Sequence, residues 1–308
     1  MKISLADTTA SAVASKLVDL REEGGAVALG RVLTLIVVAD GADIETAIAA
    51  ANVASMEHPC RVIVIKPGDG RRAAGLDAEI RVGADAGASD VVVLEPRGPG
   101  RNEVDTLVTP LLLPDAPIVV WWPKDPPADL GADLLGKMAQ RRISDVGECG
   151  NAIELLRLLA DAYTPGDTDL SWARTTLWRG VVAAALDERP YDSVREVRVY
   201  GSKNRPSAHL FAGWLAYALK IPVTLEHVPG SSAVDGIDLV RRSGTITMRR
   251  PVGSAVVTIE HPDQPERRIA MAKRPLEDCL MEDLRRLDPD ETYQLALVKG
   301  LPKVTVEG

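Results

Sequence analysis

The stretch RVLTLIVVADGADIETAIAAANVASMEHPCRVIVI, residues 31–65, decides the fold. Residues 31–39 form an almost unbroken apolar run closed by Asp40 and Gly41, which suits a β-strand buried on both faces. From 43 to about 56, Ile44, Ala47, Ile48 and Ala51 recur on one side at helical spacing. Residues 61–65 are a second buried strand. Strand, helix and strand at this spacing make a βαβ unit, normally a parallel pair joined by a right-handed crossover.

The pattern extends in both directions. Upstream, Asp7 or Thr8 can cap a helix carrying Val13, Leu17 and Leu20, with Gly24–Gly25 as its end. Downstream, residues 78–82 and 90–94 read as strands joined by the small-residue loop 83–89. Residues 104–113 read as a helix stopping before Pro114, and 118–122 as a strand closed by Pro123. Helices are expected around 130–141 and 150–163. This alternation predicts an N-terminal three-layer αβα domain with a mostly parallel sheet.

The segment YTPGDTD, 163–169, joins turn residues to a fresh helix cap, so the expected domains are 1–164 and 165–308. Beyond it come a helix (170–186), a strand (194–200), a helix (208–219) and a strand (223–227). Strands at 237–242, 245–250 and 255–260 follow as a β-meander, with Ser243–Gly244 as a tight turn. Helices at 276–287 and after Pro289 close a C-terminal α+β domain. The fold class is therefore α/β followed by α+β.

A chain of 308 residues fits two domains and buries enough surface to fold without disulfides or metal. Its one phenylalanine, Phe211, leaves the core to Val, Leu, Ile and Ala. With 36 basic against 44 acidic residues the net charge is −8, which argues against a nucleic-acid partner. Cys60, Cys149 and Cys279 lie far apart, as free thiols of a reducing compartment do; a redox switch is the alternative. The N-terminus is polar from residue 6 and lacks the apolar core of a signal peptide. The run 32–39 is too short to span a bilayer, so a cytoplasmic protein without a membrane partner is expected.

Linear motifs for chemistry are missing. The first strand is followed by ADGADIE, whose acids would repel a pyrophosphate, where a dinucleotide site needs GxGxxG. There is no P-loop, GxSxG elbow or HExxH. His58, His209, His227 and His261 have no partner at metal-ligand spacing. Asp288 and Asp290 suit a helix start. No catalytic residue, cofactor or metal is expected, although a constellation of scattered residues would leave no linear trace.

Three features invite a binding role. Trp121 and Trp122 are adjacent on a strand and must point to opposite faces. Trp172, Arg174, Trp178 and Arg179 follow the boundary. There Leu170, Ala173, Leu177, Val181 and Ala184 form one apolar stripe, widened by Trp178, Val182 and Ala185, with Trp172 off it. Arginines recur in pairs at 141–142, 241–242, 249–250 and 267–268. Trp121, Trp122, Arg141, Arg142, Trp172, Arg174, Trp178 and Arg179 are therefore the expected partner-binding residues. Burial under helices, packing between domains and a solvated sheet face are the competing readings.

At these residues the chain resembles a known family. REEGGAVALGRVLTLIVV (21–38), EHPCRVIVI (57–65), RVGADAGASDVVVL (81–94), TPLLLPDAPIVVWWP (109–123), QRRISD (140–145) and YTPGDTDLSWARTTLWR (163–179) are similar to the glucose-6-phosphate dehydrogenase assembly proteins, OpcA. So are SAHLFAGWLAYALKIPV (207–223), RRSGTITMRRP (241–251) and LRRLDPDETYQLAL (284–297). The resemblance implies a non-catalytic partner of glucose-6-phosphate dehydrogenase that promotes its assembly or activation and so supports the oxidative pentose phosphate pathway and NADPH supply. It supplies no residue roles. The alternative is an α/β module or enzyme binding a sugar phosphate or nucleotide at the carboxyl ends of its strands, near Asp40–Gly41 and Pro123–Lys124.

Overall fold

The computed structural model of the chain describes residues 1–23, 30–68, 71–83, 90–99 and 103–308. The helix end expected at Gly24–Gly25, and the loop 83–89 beyond Gly83, lie outside the described residues. Two compact units emerge. The first comprises Met1–Asp145, Gly166–Thr168 and Leu276–Pro289; the second comprises Val146–Pro165, Asp169–Pro275 and Asp290–Gly308.

In chain order the elements are β1 (Lys2–Leu5), α1 (Ala10–Glu23), β2 (Leu33–Val38), α2 (Asp43–Ala54), β3 (Cys60–Ile65), β4 (Gly75–Arg81), β5 (Asp90–Arg97), α3 (Val104–Val108), β6 (Ile118–Trp122), β7 (Arg141–Ser144), α4 (Ala152–Asp161) and β8 (Asp167–Asp169). Then come α5 (Leu170–Ala173), α6 (Thr176–Leu186), β9 (Val194–Gly201), α7 (Pro206–Leu219), β10 (Val223–His227), β11 (Val234–Arg241), β12 (Gly244–Arg249), β13 (Val256–Glu260), β14 (Arg267–Ala270), α8 (Leu276–Leu284), α9 (Glu291–Gln294) and β15 (Val304–Glu307).

The sheet of the first unit has the order β1-β4-β5-β3-β2-β6-β7-β8. Strands β5, β3, β2, β6 and β7 run parallel, while β4 and β1 are added antiparallel at one edge. The step from β2 through α2 to β3 and the step from β5 through α3 to β6 run in opposite directions across the sheet. Right-handed crossovers in opposite directions put their helices on opposite faces. Helix α8 packs beside α2, and α1 beside the turn at Thr109–Leu111, so both faces are covered. That explains why Trp121 and Trp122, pointing to opposite faces, are both buried.

Several expected elements change. The helix around 130–141 is absent: one tight turn at Gly136–Met138 leads into strand β7. The helix 104–113 stops at Val108 and ends as a 3₁₀ turn, because Pro110 has no N–H for the α ladder. Strands β1, β8, β14 and β15 add to the elements that the sequence pattern predicts, β8 falling in the stretch read as a turn and helix cap.

The second unit carries a mixed, mostly antiparallel sheet in the order β14-β13-β12-β11-β9-β10-β15. Strands β11 to β14 form the predicted meander with one further strand, and β9, β10 and β15 are parallel. Phe211 on α7 sits in this core, its ring centroid 6.1 Å from Trp178 and 5.9 Å from Trp214. The predicted helix 170–186 divides into α5 and α6. The Thr175 hydroxyl donates to the Trp172 carbonyl at 2.7 Å and ends the first piece. The break resets the helical phase. Trp178, Val182 and Ala185 face the core, whereas Leu177, on the predicted main apolar stripe, is 43% exposed.

Candidate functional site

Arg141 and Arg142 occupy successive positions on β7, so their guanidiniums leave opposite faces of the strand. Both are buried, at 3% and 6% exposure. Arg141 donates to Asp283 on α8 at 2.6 Å and to the Asp288 carbonyl at 3.0 Å. Thr168 donates to the same Asp283 oxygen at 3.2 Å. Arg142 donates to the Asp167 carboxylate and to the Ala139 carbonyl. Gly166 precedes Asp167 with φ +102°, and a Cβ there would lie 2.6 Å from the Gln140 carbonyl, so only glycine suits this corner. Burial pushes the Asp283 carboxyl up to about 6, against the opposing pull of Arg141. This pair of arginines stitches discontinuous segments of one unit together. Both guanidiniums, expected from the sequence at a partner surface, are engaged inside the unit.

The other expected anchors are also largely internal. Trp172 is buried, donates its indole N–H to Asp290 at 2.8 Å and packs against Tyr293 at 6.0 Å. Arg179 lies over the Trp172 ring, 3.6 Å from its centroid, and donates to Thr175 and Thr176. Trp178 is buried in the core. Trp121, Trp122, Trp172 and Trp178 are thus almost wholly buried, and Trp122 and Trp178 turn an edge to the two cavities described next. Arg174 and Arg179 are partly exposed, and Leu177 lies between them in sequence and is exposed.

Two cavities bear on ligand binding. The crevice at the carboxyl ends of the parallel strands, about 280 Å³, is lined by Val38, Ile65, Pro96, Val104, Trp122 and Leu135, with Asp133 as its charged residue. No cation lines it among the described residues, and Lys124 lies 3.9 Å from Asp43. The described residues therefore bring no guanidinium or ammonium to this crevice to clamp a phosphate.

The second cavity, about 240 Å³, lies wholly within the second unit. It is not legible in the sequence, because its walls come from six separated stretches: the Gly147 turn, α5–α6, the start of α7, the residues around the start of β11, Arg250, and the segment 271–274. Arg174, Arg205, Arg250, Lys273 and Arg274 line it, against the single carboxylate of Glu148. Ser171, Thr175, Ser207 and Ser232 add hydroxyls, and Trp178, Leu177 and Met271 an apolar wall. Arg250 is 5% exposed and donates to the carbonyls of Val234 at 2.6 Å and Met271 at 3.3 Å. Burial holds its guanidinium below the usual arginine range, an effect that Asp235 offsets in part. The three cysteines are buried, and no disulfide joins them among the described residues.

Fold and site together define a two-unit α/β protein whose most distinctive surface feature is a cation-lined hollow in its second unit. Residues 51–161 match the family model for the N-terminal domain of the glucose-6-phosphate dehydrogenase subunit, and residues 165–297 match the model for its C-terminal domain. The chain belongs to the OpcA family of glucose-6-phosphate dehydrogenase assembly proteins. Similar curated proteins come from Synechocystis sp. (26% identity over 208 residues, 62% of this chain and 42% of that protein) and Synechococcus elongatus (31% over 186 residues, 55% and 41%). Both are provisionally named OxPP cycle protein OpcA. The matched segments thus span about two fifths of those relatives' length. Among solved structures, an OtsA apo structure aligns with 63% of this chain and 65% of its own, at 9% identity and a TM-score of 0.27. No described helix is long and apolar enough to cross a membrane.

Proposed function

We propose that this chain is a non-catalytic assembly factor and allosteric activator of glucose-6-phosphate dehydrogenase. It binds the dehydrogenase oligomer and shifts it toward the active state by binding that state more tightly. The observation that supports this reading is the match of dehydrogenase-associated domain models to both halves of the chain, in order. The dehydrogenase supplies the substrate and NADP sites and this chain a coupling free energy. Of the residues expected at the interface, Arg174 and Arg179 keep exposed surface, and Leu177 adds an exposed apolar side chain. Apolar and arginine side chains side by side are a combination favoured at interface centres.

Size-exclusion chromatography of the chain with the dehydrogenase of the same organism tests this. Co-elution is expected, and Leu177→Asp is expected to weaken the complex by at least ~10-fold while leaving the thermal midpoint of the free chain within a few degrees. Separate elution of the unmodified proteins would refute the binding claim. Undiminished binding of Leu177→Asp would move the interface off this face.

A further inference from the structure

The cation-lined cavity of the second unit calls for a ligand of its own. Arg205, Arg250 and Lys273 line it beside the carboxylate of Glu148, which lies 3.7 Å from Arg205. Two of its cations are satisfied by neutral groups. Arg250 is held by two carbonyls, with no carboxylate in ion-pair range among the described residues, and Lys273 donates to the Ser232 hydroxyl. Other buried arginines meet carboxylates directly, as Arg141 meets Asp283 and Arg81 meets Glu45, while Arg241 is, like Arg250, held by a carbonyl, that of Pro190. A buried cation held by neutral dipoles retains a strong field.

The walls also match an anion in their donors. Helix α7 is fourteen residues long and opens at the cavity with Pro206 and Ser207, and no side chain caps it. Its N-terminal amides and dipole favour negative charge at that end. Ser171 and Ser207 are buried hydroxyls on the same lining. Trp178, Leu177 and Met271 form an apolar wall that a bare inorganic anion would leave unused. The volume, about 240 Å³, falls below the range usual for drug-sized ligands and is small for a dinucleotide.

We propose that this cavity binds a compact phosphate monoester, with the phosphate among Arg205, Arg250, Lys273 and the start of α7, and the carbon skeleton against Trp178 and Met271. The ligand class is thus a sugar phosphate or another small phosphorylated metabolite. The proposal stands apart from the dehydrogenase reading, because its readout is on the chain alone.

Isothermal titration of the full chain with glucose 6-phosphate, inorganic phosphate and glucose provides the test. Saturable binding of glucose 6-phosphate is expected, at least ~10-fold tighter than phosphate, with no heat from glucose. The double variant Arg205→Ala/Lys273→Ala removes two partly or fully exposed cations and is expected to weaken binding at least ~10-fold. Arg268→Ala, an exposed charge outside the cavity, is expected to leave binding unchanged. No saturable binding, equal affinity for phosphate and its ester, or equal losses in the two variants would overturn the proposal. Matching thermal midpoints of the three proteins would tie any loss to the site and not to unfolding.

Discussion

Replacing Arg141 by alanine is expected to lower the unfolding free energy of the first unit by about 3–5 kcal/mol near pH 7.5, as removal of one partner from a buried ion pair does. The cost arises less from the attraction lost than from the charge left behind. Asp283 is buried, and without Arg141 its ionised carboxylate keeps, among the described residues, the Thr168 hydroxyl as its side-chain donor. The Asp288 carbonyl loses its donor as well.

The pH dependence follows with a definite sign. The folded-state value of Asp283, about 6, lies above its ordinary 3.8. Its contribution to stability is therefore fully present below about 3.8 and is lost as pH rises through about 6, a change of about 3 kcal/mol. In Arg141→Ala the carboxyl rises further, so the variant's deficit shrinks near pH 5 and widens near pH 7.5. In Asp283→Asn this group no longer titrates, and the variant gains on the parent as pH rises from about 4 to 7. Urea unfolding at both pH values measures each effect. An Arg141→Ala deficit under about 1 kcal/mol at both would contradict the role assigned to the pair.

A second large effect is expected at Gly300. This residue ends the wide helical segment Leu295–Gly300, where it crosses α7 at Gly213. A Cβ on Gly300 would stand 1.9 Å from the Gly213 carbonyl oxygen, and one on Gly213 would stand 2.7 Å from the Ala296 carbonyl oxygen. Both obstacles are backbone, so no rotamer change relieves them. Gly300→Ala must push two helical segments apart and is expected to cost about 3 kcal/mol or more. Gly180 on α6 gives the contrast. A Cβ there meets nothing within 4 Å, so Gly180→Ala is expected to stabilise by about 0.5–1 kcal/mol. Denaturation midpoints of the two variants should move in opposite directions. A Gly300→Ala midpoint equal to the parent's would show that the crossing is looser than drawn.

These cases show where the sequence is legible. The β2–α2–β3 unit can be read because both strands are buried on both faces and appear as almost unbroken apolar runs. Strand β14 is exposed throughout, and β1 and β15 are short edge strands with little burial, so none carries that signal. The arginine doublet on β7 announces opposite directions correctly. It cannot announce Asp283, which lies 142 residues away. The stripe through Leu177 misleads because one threonine hydroxyl breaks the helix and shifts its phase. The cavity leaves no motif at all, since no two of its five cation-bearing positions share one helix face; two of them, Lys273 and Arg274, are mere sequence neighbours on an irregular segment.

A chain that acts through the dehydrogenase must change the dehydrogenase's own kinetics. Titration of purified glucose-6-phosphate dehydrogenase with this chain, following kcat and KM for glucose 6-phosphate, reads that change directly. A saturable rise in kcat/KM of at least several-fold is expected, reaching its plateau at the stoichiometry of the co-eluting complex. Unchanged kcat and KM at saturating chain would contradict the proposed role.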